Sequence, residues 1–187
     1  MAARRVARKR GRRLRRRSKR WRETRSPSRR RSRVIDTLAA SRTRLQADSG
    51  LKSAWDPQFF KRTDLRADPA VPALAWLESV PDEVEAEILA TIDAVAVGPP
   101  PQFRGGLRYQ PMHGDMSGWF EARTKYQKRL YRLFCLQDRK APGLPRPALV
   151  MVTGGDKPTE SAFSKAFYKK VRALGDEYLA SDPRNVA

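Results

Sequence analysis

A chain of 187 residues with a formal net charge of +20, one cysteine and one histidine has room for one domain plus an appendage. The lone cysteine excludes an internal disulfide and a cysteine-based zinc centre, and with a lone histidine a structural metal site lacks a ligand set, so no cofactor is expected. No apolar run approaches the ~20 residues that span a bilayer, and no apolar segment follows the basic N-terminus as in a secretory signal; a cytoplasmic protein without a membrane partner is expected.

The charge is unevenly placed. Residues 1–33 hold 18 Lys or Arg against a single acid, Glu23, whereas residues 34–187 hold 22 Lys or Arg against 19 acids. A low-complexity Arg/Ser segment buries too little apolar surface to offset its ordering entropy. We therefore read residues 1–50 as a disordered Arg-rich extension and 51–187 as the folded domain. Three readings of the extension stay open. Residues 4–33 suit a nucleic-acid-binding arm, since phosphate contacts release counterions whatever the sequence. An Arg- and Ser-rich, acid-poor segment also suits a transit peptide. The third reading has the extension untranslated, with Val34 or Leu51 as the start, because GC-rich coding leaves long open frames by chance.

In chain order, Ile35, Leu38, Ala39 and Leu45 give residues 34–46 helical spacing. Trp55–Thr63 reads as a first strand, placed at an edge or strand start by Pro57. Leu74, Leu77 and Val80 form a helical stripe that Pro81 interrupts. A second helix follows, with Asp82, Glu83 and Glu85 favouring its dipole and Val84, Ile88, Ile92 and Val95 forming one face. Gly98-Pro99-Pro100-Pro101 stops it, which makes a helical hairpin over ~70–97, and 98–110 reads as loop. Three short runs rich in aromatic and branched residues, Gly118–Thr124, Arg129–Gln137 and Ala148–Thr153, predict successive strands. Lys157-Pro158-Thr159 is expected to open a closing helix with Phe163, Phe167, Val171, Leu174 and Tyr178 on one face. Lys165, Lys169, Lys170 and Arg172 take much of the rest. Two helices before an antiparallel sheet and one after it make an α+β fold.

Strand alternation places Trp119, Glu121 and Arg123 on one face of the first run. In the second it groups Leu130, Arg132, Phe134 and Leu136, with Tyr131, Leu133 and Cys135 opposite. Each arginine therefore stands among core-type neighbours. A solvated face would put such charges at strand ends.

Four segments carry a resemblance: AWLESVPDEVEAEILATIDAV, MHGDMSGWFEAR, LYRLFCL and ALVMVTGGDKPTES. In this order and spacing, over about residues 55–180, the chain resembles the RelE/HigB superfamily of toxins, and most closely the phage-derived HigB-like branch. The resemblance implies a RelE-like fold and a type II toxin–antitoxin pair with a cognate antitoxin protein. It also implies metal-independent cleavage of messenger RNA on the ribosome, by 2′-OH attack that leaves a cyclic phosphate, and hence inhibited translation. Carried over by position, Arg123 and Arg132 become the phosphate clamp, Lys157 a third cation and His113 the proton-transfer group. Tyr131, Lys165, Tyr168 and Lys169 become RNA contacts. The bland alternative pairs the two arginines with Glu121 or the acidic helix, and leaves His113 and the lysines as surface residues. A second functional class is a non-catalytic nucleic-acid- or ribosome-binding protein that uses the arginine arm.

Overall fold

Five strands form one sheet in the order β1-β5-β4-β3-β2. They span Asp56–Phe59 (β1), Tyr109–Pro111 (β2), Trp119–Tyr126 (β3), Arg129–Asp138 (β4) and Ala148–Pro158 (β5); the helices are Pro72–Ser79 (α1), Asp82–Val97 (α2) and Lys165–Ala180 (α3). The computed structural model describes residues 54–64, 66–98 and 108–187. The Arg-rich extension, the helical spacing of 34–46 and most of the proline-rich 98–110 lie outside the described residues. Among the described residues no helix is long and apolar enough to cross a membrane.

The architecture is α+β, but the sheet is mixed rather than antiparallel. β1 lies parallel to β5, while β2, β3, β4 and β5 pair antiparallel in turn. A parallel partner needs a long connection, and here the first two helices and three strands intervene between β1 and β5. β2 falls where the sequence suggested only loop. Three residues are too few to show alternation, and Pro111 is tolerated because β2 is an edge strand.

α1 and α2 cover one face, burying Leu74, Leu77, Ile88 and Ile92 against Leu133, Cys135, Leu149 and Met151. α3 covers the other, with Val171, Leu174 and Tyr178 on Phe134, Leu136, Val150 and Val152. Cys135 is fully buried, and desolvation pushes its thiol well above the ordinary range, so it is a core residue. Gly175 lets α3 approach the Trp119 ring, since a Cβ there would lie 2.6 Å from Trp119 Cη2.

β5 runs five residues beyond the expected end at Thr153, and α3 begins at Lys165, not near Lys157. Gly154 and Gly155 read as a turn in sequence because they carry no strand-like side chains. In the fold they are flat sites for rings. The Trp76 indole lies on Gly154 from the α1 side, and on the opposite face a Cβ at Gly155 would stand 2.6 Å from Phe167 Cζ. The helix start is set instead by Ser164, whose side-chain oxygen accepts from the Phe167 N–H at 3.1 Å. Lys157 therefore projects from a strand, paired in register with Leu130.

β3 and β4 meet at a two-residue turn in which Gln127 and Lys128 have φ of 45° and 62°. Both are left-handed, as a type I′ hairpin demands, and neither is the Asn or Gly that adopts this cheaply. Thr159 fixes the turn by donating its N–H and its hydroxyl to the Lys128 carbonyl, at 3.0 and 2.8 Å. Lys128→Gly keeps that carbonyl and relieves the side-chain clash. It is expected to raise stability by about 0.5–1 kcal/mol, read as a higher urea midpoint at unchanged slope.

Candidate functional site

The hairpin register sets Arg123 directly opposite Arg132. Like charges in that position repel, and these two share a face with Trp119, Phe134 and Leu136. Glu121 compensates from two residues earlier on β3. Its Oε2 accepts from Arg132 Nη1 at 2.7 Å and its Oε1 from Arg123 Nη1 at 3.5 Å. Glu121 is 5% exposed, so one buried carboxylate bridges two half-buried guanidinium groups. Arg132 Nε is buried without a hydrogen-bond partner among the described residues.

Aromatic rings close this corner. Phe163 lies 5.7 Å from the Arg132 guanidinium carbon and 5.8 Å from Lys157 Nζ, both over its face. It stacks on Phe167 at 4.5 Å, and Phe134 meets it edge-on at 5.9 Å. Lys157 Nζ donates to the Ser161 carbonyl, which holds the β5–α3 connection over the sheet. Tyr168 completes the cluster against Phe134. Burial pushes its hydroxyl above the ordinary tyrosine range, with Arg132 opposing that rise and Glu121 adding to it.

Two clefts flank the cluster. One, of about 440 Å³, is lined by Arg108, Arg123, Lys125 and Arg132 with Leu130 between them. Its acid, Glu87 on α2, is engaged by Arg108 at 3.1 Å and by the Thr124 hydroxyl. The other, of about 510 Å³, opens between the residues after β2 and the first turns of α3; His113, Lys165, Tyr168, Lys169 and Arg172 line it above Met112 and Met116.

The structure thus brings Arg123, Arg132 and Lys157 to one corner and gathers His113, Lys165, Tyr168 and Lys169 around the adjoining cleft. His113 and the arginine pair are in different clefts, with Tyr168 between them. Tyr131 is placed elsewhere: it is 6% exposed in the core under α1 and α2. Strand alternation carries it away from Arg132, so its expected RNA contact is corrected to a packing role. Sequence reasoning missed Phe163 as a site residue because the helix start was set too early and absorbed it into a packing stripe. Arg108 was missed because short edge pairing, invisible in composition, brings it beside Arg123, and Lys125 because the strand was ended at Thr124, although it follows Arg123 by two residues on the same face.

No family model matches the chain, and neither a curated protein nor a solved structure is detectably similar to it.

Proposed function

We propose that this protein is a ribosome-dependent messenger-RNA endoribonuclease of the RelE/HigB toxin type, cytoplasmic and restrained by a cognate antitoxin. The observation that carries the reading is the cross-strand pair Arg123–Arg132, bridged by Glu121 beside an aromatic cluster. A like-charge pair on a half-apolar face costs stability unless it serves an anion. The Glu121 carboxylate marks where one oxyanion is held, and a scissile phosphate is the ligand that makes use of two guanidinium groups side by side.

In the reaction the ribose 2′-oxygen bonds to phosphorus while the bond to the 5′-oxygen breaks. The products are a 2′,3′-cyclic phosphate and a 5′-hydroxyl. Negative charge grows on the phosphorane oxygens, and pre-positioned guanidinium groups stabilise it more than they stabilise the ground state. Arg132 commits Nη1 to Glu121 and keeps further donors for those oxygens. Lys157, across Phe163, adds a third cation. The 2′-oxygen gives up its proton to His113, in the neighbouring cleft, and the leaving 5′-oxygen takes a proton from the resulting imidazolium or from water.

A second reading, nucleic-acid or ribosome binding without cleavage, is favoured by one observation: His113 and the arginine pair line separate clefts. Tyr168, the residue between them, has its hydroxyl pushed above the ordinary tyrosine range by burial. In that case residues 4–33 supply phosphate contacts and the domain positions them.

Induced expression of the full chain in a bacterial host, with RNA 3′ ends mapped over the following minutes, separates the two. The ribonuclease reading expects growth arrest and clustered cuts inside coding regions, both lost in an Arg132→Ala variant that circular dichroism shows to be folded. Arrest without new ends favours the binding module. Cuts that persist unchanged in the variant remove Arg132 from the chemistry.

A further inference from the structure

We propose that the cleft between the β2–β3 connection and α3 seats the base of a single-stranded RNA nucleotide adjoining the phosphate at Arg123 and Arg132. The choice of RNA rests on the ribonuclease reading; the chemistry of the cleft does not. Its floor is apolar and soft, from Met112, Met116 and the Tyr168 ring, and Met116 is 4% exposed. Its rim is cationic. Lys165, Lys169 and Arg172 recur at four and three residues along α3, so they stand on one side of the helix.

The two sides of the cleft are also in contact at the surface. Arg172 Nη1 donates to the Asp115 carbonyl at 3.3 Å and pairs with the Asp115 carboxylate at 3.6 Å. These contacts fasten the connection after β2 onto α3. Asp115 is the acid on the rim, and against Lys165, Lys169 and Arg172 it leaves the rim net positive. At about 510 Å³ the cavity has the size of a small-ligand site.

A ligand that satisfies both surfaces needs a flat apolar face and a negative charge close together. An acidic peptide neutralises the rim and leaves the methionine and tyrosine floor wet. A duplex keeps its bases stacked inside. An unpaired nucleotide offers both, its base on the thioethers and the ring and its phosphate to the lysines. Tyr168 ties this cleft to the arginine corner, because it lines the cleft and its ring meets Phe163 at 5.9 Å, the same ring that carries the Arg132 guanidinium at 5.7 Å. One strand of RNA then runs from Arg132 past Tyr168 into the cleft.

The test is photocrosslinking of the full chain to a 2′-O-methylated single-stranded octanucleotide carrying 4-thiouridine, which cannot be cleaved, with crosslinked peptides mapped by mass spectrometry. Crosslinks are expected within residues 112–116 and 165–172. They should fall at least about tenfold in Lys169→Glu, an exposed substitution whose thermal midpoint stays that of the parent. Crosslinks confined to residues 1–33, or equal competition by a duplex or by polyglutamate of matched charge, overturn the proposal. Because the probe is uncleavable, cleft crosslinks without cuts in cells leave this site standing while the nuclease reading falls. Cuts in cells without cleft crosslinks do the reverse.

Discussion

Glu121→Ala is expected to destabilise the protein by about 3 kcal/mol, which lowers the thermal midpoint by about 10 °C in a domain of this size. Two costs add. A buried carboxylate that accepts from Arg132 at 2.7 Å and Arg123 at 3.5 Å disappears. What remains is a pair of guanidinium groups opposite each other across β3 and β4. Their side chains are 27% and 19% exposed, so water moderates the repulsion, and the lower end of the range for breaking a buried pair applies. The origin of the loss is separable. Adding Arg132→Met to Glu121→Ala removes one repelling charge and restores apolar cover for Phe163, so the double variant should be more stable than Glu121→Ala alone. Calorimetry on the two single variants and the double variant gives the coupling directly. A loss below about 1 kcal/mol in Glu121→Ala would make the trio an ordinary surface ion pair, with no costly like-charge pair for a phosphate to relieve.

How much of this corner was legible beforehand depends on which interaction range is asked about. Period-two alternation is a local property, and it put Arg123 and Arg132 on core-type faces of adjacent strands without any tertiary information. Their direct opposition was not legible. It depends on a tight turn at Gln127-Lys128, and neither residue signals a left-handed conformation; contacts from Thr159, just past the end of β5, help hold it there. Gly154-Gly155 misled for a related reason. A glycine pair is the usual mark of a turn, and only the rings of Trp76, Phe163 and Phe167, each distant in sequence or in a misassigned helix, reveal why a strand needs bare backbone. That one misreading displaced the start of α3, moved Lys157 from a strand into a turn, and hid Phe163. The α3 face carrying Lys165 and Lys169 was readable from helical spacing. Its meeting with His113 was not, since fifty residues of sheet separate them. Tyr131 shows the converse error: alternation already pointed it away from Arg132, and burial under the helices followed from that.

On the ribonuclease reading, Arg132→Lys is expected to cut the single-turnover rate of messenger-RNA cleavage by about 10²–10³ while moving the thermal midpoint by only a few degrees. The substitution keeps a positive charge within reach of Glu121, so the ion pair that stabilises β3 and β4 is largely retained. What it removes is the planar fork. An ammonium offers a point charge, whereas a guanidinium bonded to Glu121 through Nη1 still presents further donors in fixed directions to the phosphorane oxygens. Stability and rate should therefore separate in this variant as they cannot in Glu121→Ala, where both fall together. A binding module makes the opposite forecast, because a lysine neutralises a phosphate as well as an arginine does and releases the same counterion. RNA affinity and its salt slope would then match the parent. If Arg132→Lys cleaves at the parental rate, the guanidinium of Arg132 is the structural partner of Glu121 alone. The growing charge would then be met by Arg123 and Lys157 in the same corner.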